Sequence, residues 1–76
     1  MQFIKLINGN YVNTRFIFSM YAFETINGWQ IDVAGGEGGS ITIGTVNTAL
    51  FTTEAKAQQF IQQILRGFDP NTLVDL

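Results

Sequence analysis

The 76-residue chain contains no cysteine and no histidine. Without cysteine there is no disulfide and no thiolate ligand. Without histidine the commonest general base and the commonest neutral metal ligand are both gone. Zinc, haem and iron–sulfur chemistry are therefore not expected, nor is a Ser-His or Cys-His nucleophile pair, and no cofactor is expected. Basic charge is scarce: Lys5, Arg15, Lys56 and Arg66 stand against six acids, for a net charge of −2. Proteins that hold duplex nucleic acid cluster Lys and Arg to displace counterions. These four residues are scattered, which disfavours a nucleic-acid partner. No run of about 18 apolar residues exists, so no membrane span is expected. Lys5 is not followed by the apolar run and small-residue cleavage site of a secretion signal. With cysteine absent as well, the expected location is the cytoplasm.

These absences bear on stability. A chain of this length buries only a modest fraction of its surface. Small domains compensate with disulfides, a metal or oligomerisation. The first two are excluded by composition, which leaves association with another copy or another protein.

Hydrophobic patterning supplies the elements. QFIKLI leads into Asn8-Gly9, the strongest short hairpin signal, and YVN returns, so a hairpin is expected from Gln2 to about Asn13. RFIFSMYAFET (Arg15 to Thr25) is rich in strand formers. Asn27-Gly28 then gives a second turn, and WQIDVAG alternates, with Trp29, Ile31 and Val33 on one face and Gln30 and Asp32 on the other. SITIGTV repeats the alternation with Ile41 and Ile43 inward, and NTAL connects it to the last third. There FTTEAKAQQFIQQILRGF changes to helical period. Ala57, Phe60, Ile61, Ile64, Leu65 and Phe68 form one stripe, opposite Lys56, Gln59, Gln62, Gln63 and Arg66. Thr52 or Thr53 is placed to cap its start, Glu54 and Arg66 suit the helix dipole, and Gly67 suits a left-handed stop. Asp69-Pro70 ends it.

The expected fold is α+β: an antiparallel meander of four to five strands with one C-terminal helix packed on one face. It forms one domain over residues 1–68, followed by a tail over 69–76.

Three pieces of this pattern resemble a loose group of small, functionally uncharacterised bacterial and phage-type proteins. These are IKLINGNYVN (Ile4 to Asn13), ITIGT (Ile41 to Thr45) and FTTEAKA (Phe51 to Ala57), similar to that group's IKLxNGxYxN hairpin, IGT strand and FxTxEEA helix start. The likeness runs from about Met1 to Leu65 and departs at VNTAL and after Gly67. It implies the same strand-then-helix order and no assigned activity.

Two features compete as candidate sites. The first is the glycine stretch VAGGEGGSITIGT, with Gly35, Gly36, Gly38 and Gly39 as ligand-loop candidates. A Walker loop needs a lysine after its second glycine. Gly39 and Gly44 have the spacing, but Thr45 stands at the lysine position and no helix follows. A dinucleotide GxGxxG between strand and helix is absent too, and Glu37 at the tip repels phosphate. The expected role is a hairpin loop whose glycines take positive φ. The second feature is the aromatic surplus: seven phenylalanines, two tyrosines and one tryptophan. Phe16 to Phe23 is apolar on both faces, one carrying Ile17, Ser19, Tyr21 and Phe23, the other Phe16, Phe18, Met20 and Ala22. One helix shields one sheet face, so the second set is expected to lie exposed, and such patches mark interfaces.

The leading expectation is therefore a non-enzymatic interaction module, most simply a two-fold homodimer. Phe16, Phe18, Met20 and Ala22 would form its interface, helped by Leu73, Val74 and Leu76 in the tail. A bend that turns both faces of the strand to one core is the bland alternative. A single-strand nucleic-acid platform using the same aromatics with Lys5 and Arg15 is another, and small-ligand capture by the glycine loop a further one. Among the acids, Glu24 and Asp32 could be cross-strand neighbours around the Ile26-Asn27-Gly28 turn, and solvated strand-edge charges rather than a catalytic pair are the expected reading. The calcium-loop pattern is missing.

Overall fold

The computed structural model describes residues 2–48 and 50–72. Five strands and one helix follow in chain order: β1 (Phe3–Lys5), β2 (Tyr11–Asn13), β3 (Ile17–Thr25), β4 (Gly28–Gly35), β5 (Ile41–Thr45) and α1 (Glu54–Leu65). The class is α+β and every strand pairing is antiparallel, with the helix packed on the sheet as the patterning indicates. The strands divide into a two-stranded sheet, β1-β2, and a three-stranded sheet ordered β3-β4-β5.

The two sheets are stitched at one place. Leu6 sits opposite Val46, just beyond β5. The Ile7 N–H donates to the Thr45 carbonyl at 2.8 Å and the Asn47 N–H donates to the Lys5 carbonyl at 2.8 Å. The first hairpin thus lies along the C-terminal end of the β5 edge. The connector after β5 then runs back beside β4, where Trp29 and Phe51 exchange two backbone hydrogen bonds of 2.8 and 3.1 Å.

The core lies between the three-stranded sheet, the hairpin and the helix. Ile31 and Val33 from β4, Ile4 from β1, and Ala57 and Phe60 from α1 are fully buried. Leu6, Val46, Phe51, Ile61 and Ile64 complete it. The Phe51 and Phe60 rings meet at 5.4 Å in a tilted arrangement, a favoured geometry for an aromatic pair. Helix α1 starts as expected. Thr53 is its N-cap and accepts a hydrogen bond from the Lys56 N–H at 3.3 Å, satisfying one of the donors that the first turn leaves orphaned. At the other end Gly67 adopts φ +95° and the Phe68 N–H reaches back to the Gln63 carbonyl.

Several expectations need correction. The long third strand begins at Ile17, not Arg15: Thr14–Phe16 is a 3-10 turn whose Arg15 N–H is capped by the Asn13 side chain at 3.1 Å. Ile41 does not face the core. It is 59% exposed, while Ile43 packs inward. Ile41 opposes Gly35 at the loop end of the strand, and its side chain lies against Gly36. The strand also carries a bulge: Val33 opposes Gly44 and Ala34 opposes Thr42, so Ile43 is an extra residue. Leu65, at the end of the helix, and Phe68, beyond it, are 68% and 54% exposed. The buried stripe stops at Ile64. The described part of the tail is docked on β1: Pro70 is buried and the Asn71 side-chain amide donates to the Phe3 carbonyl at 2.6 Å. The tail candidates Leu73, Val74 and Leu76 lie outside the described residues.

Candidate functional site

The candidate site is strand β3 and the glycine loop that folds against it. In the register of β3 with β4, Ser19 opposes Ala34, Tyr21 opposes Asp32 and Phe23 opposes Gln30, while Met20 opposes Val33, Ala22 opposes Ile31 and Glu24 opposes Trp29. Residues directly opposite in an antiparallel pair share a face. Ile31 and Val33 are core residues, so Met20 and Ala22 face the core, and both pack against it. This overturns two of the expected interface residues. Met20 and Ala22 belong to the face that the helix covers.

The aromatic exposure arises instead from a second bulge. The ladder steps from Ile17 opposite Gly35 to Ser19 opposite Ala34, leaving Phe18 as the extra residue. A bulge reverses the alternation beyond it. Ile17 therefore joins Met20 and Ala22 against the core. Phe16 and Phe18 are left 67% and 65% exposed, with Tyr21 at 43%. The strand does turn more of itself to one core, as the bland alternative required, yet it releases two phenylalanines to do so.

Gly35 makes the bulge feasible. A Cβ there would stand 2.7 Å from the Phe16 carbonyl oxygen and 2.8 Å from Ile43 Cδ1, so only glycine admits the two neighbouring chains this closely. Gly35 is buried within β4 and is not open to a ligand. The rest of the loop serves the turn. The Gly39 N–H donates to the Gly36 carbonyl and the Ser40 N–H to the Glu37 carbonyl, each at 3.3 Å. Gly36, Gly38 and Gly39 all take positive φ. A Cβ on Gly39 would lie 2.9 Å from Phe18 Cδ1. The loop thus rests against one side of the Phe18 ring, and the other side is open.

Polar groups near the patch are few. Arg15 stands over the Phe16 ring at 5.9 Å, within the range of a cation–π contact. The Tyr21 hydroxyl donates to Asp32 Oδ2 at 3.3 Å and the Thr45 hydroxyl to Asp32 Oδ1 at 2.6 Å. These bonds tie the three strands together across their outer face. Glu24 and Asp32 are not brought together: they oppose Trp29 and Tyr21 respectively, on opposite faces of the sheet. Among the described residues no group of three or more carboxylates gathers in a metal-binding cluster. Lys5 lies near Tyr11 at 6.0 Å on the first hairpin, so one cation–aromatic pair sits on the hairpin and the other in the 3-10 turn before β3. No helix of the described chain is long and apolar enough to cross a membrane.

The remaining property of β3 is its position. It is an end strand of its sheet, nine residues long, and among the described residues its outer edge has no strand partner. Compared with protein-family models, with curated proteins and with solved structures, the chain gives no match. Sequence reasoning identified the aromatic strand but not the bulges in β3 and β5. The signal available for them was Gly35 and Gly44, each an interior glycine in an alternating strand, which marks a bulge or a close approach.

Proposed function

We propose that the chain is a small, non-catalytic interaction module that associates with a second copy of itself through β3, acting in the cytoplasm. The observation that carries this reading is the concentration of exposed aromatic surface along one edge strand. Phe16, Phe18 and Tyr21 are 67%, 65% and 43% exposed, and all lie along or beside β3. Fully burying one such side chain is worth about 1.5–3 kcal/mol. That is a large gain for a domain with so small a core.

The glycine loop supports the same reading. It holds the Phe18 ring from one side, which reduces the rotamer freedom lost on docking. A single-strand nucleic-acid platform has less support, since Arg15 is the only cation beside the patch.

Sedimentation velocity on the wild type and on Phe18→Lys tests the reading. The expected result is a dimer at tens of micromolar for the wild type and a monomer for the variant. A wild-type monomer across that range overturns it.

A further inference from the structure

We propose that the two copies join β3 to β3, edge to edge and antiparallel, about a two-fold axis that passes between the Met20 residues of the two copies. The two three-stranded sheets then become one continuous sheet. This inference rests on the self-association reading and adds its geometry, register and selectivity.

The edge is suited to strand addition. An end strand presents unpaired backbone N–H and C=O groups, and natural proteins blunt such edges with lysine, proline, short length or a bulge. The β3 bulge is confined to its Ile17–Phe18 end, and the register from Ser19 to Thr25 is regular. β3 has neither lysine nor proline and runs for nine residues. Backbone pairing of that kind is one of the common modes of recognition between chains.

Charge selects a second copy in antiparallel orientation. From Arg15 to Thr25 the chain carries two charged residues, Arg15 at the entry and Glu24 at the exit. Both are exposed, and neither is held by an ion pair among the described residues. Antiparallel pairing sets the Arg15 end of one copy beside the Glu24 end of the other, twice by symmetry. Parallel pairing would set like charge on like. Opposite charges directly across a strand pair stabilise it, and like charges oppose it.

Register follows from the faces. A two-fold axis perpendicular to the sheet keeps the core face of one copy beside the core face of the other, so the axis must pass between the two copies of a residue that pairs with itself. Ile17 and Phe18 together oppose Gly35 and so occupy one step of the ladder. Counting them as one step, Met20 on the axis places Tyr21 opposite Ser19 of the second copy and Ala22 opposite Ile17. It also places Glu24 opposite the turn that carries Arg15. Every matched pair along the strand then shares a face. With Tyr21 on the axis instead, Glu24 would face the Ile17–Phe18 bulge and find no charge.

Charge reversal tests this. Sedimentation equilibrium is run on the wild type, on Arg15→Glu, on Glu24→Arg and on the double variant. We expect each single variant to dimerise about tenfold more weakly. The double variant should recover wild-type affinity, and a mixture of the two single variants should form a mixed dimer, which also shows that both remain folded. If the wild type dimerises and the single variants match it, or the double variant fails to recover, edge pairing in this register is overturned while self-association stands. If the wild type is monomeric at every concentration, both fall, and the edge is left for a different strand.

Discussion

The two edges of the three-stranded sheet are treated differently. The β5 edge belongs to a five-residue strand, and the first hairpin bonds along its end through Ile7 and Asn47. The β3 edge belongs to a nine-residue strand with one charged residue and no strand beside it among the described residues. Both strands carry a bulge, yet the outcomes diverge. In β5 the extra residue, Ile43, is packed into the core; in β3 the extra residue, Phe18, is turned out. One edge was closed within the chain and the other was left with an aromatic row beside it. Among the described residues no further strand covers the second edge, so the open edge is where a second chain adds most.

Substitutions can break this contrast, and those on the closed edge should act on folding alone. Leu6 is 2% exposed and seats the hairpin opposite Val46. Leu6→Ala should cost about 2–5 kcal/mol, read as a lowered urea midpoint, the largest effect of the set. Gly35→Ala presses a methyl group into the Phe16 carbonyl and Ile43, and should cost about 1–3 kcal/mol by the same measurement. Because Gly35 sits beneath the β3 bulge, this variant should also weaken association. Thr53→Ala touches neither edge. It removes the helix cap and should cost about 1 kcal/mol, with the dimer constant measured under native conditions unchanged. Phe18→Lys, at the open edge, should move monomer stability by no more than about 0.5 kcal/mol while removing the dimer. A Phe18→Lys protein that unfolds like Leu6→Ala would mean the ring is structural, and the contrast between edges would collapse.

Much of the fold was legible in the sequence because its signals are local. Asn8-Gly9, the alternation around Ile31 and Val33, and the Thr53–Gly67 helix punctuation all report conformation within a few residues, and each corresponds to a described element. Bulges are not local. Whether Phe18 or Met20 faces the core depends on which residue of β4 stands opposite, and Gly35 decides that by letting the Phe16 carbonyl approach. A strict alternation therefore assigned Met20 and Ala22 to the open face. The hairpin's contribution was equally hidden: Ile4 and Leu6 become core residues only through the stitch at Val46, forty positions away in the chain. Of the candidate site, Phe16 and Phe18 were legible as surplus aromatics, whereas the unpaired edge was not, since strand order across the sheet is a tertiary property.

The central claim is that β3 presents the edge at which copies meet, and backbone amide exchange across a dilution series reads it most directly. Amides of β3 that point away from β4 should gain protection as concentration rises, while those of β1, β2 and β5 stay constant. Protection that is independent of concentration in β3, or that rises instead along β5 or the first hairpin, would contradict the account.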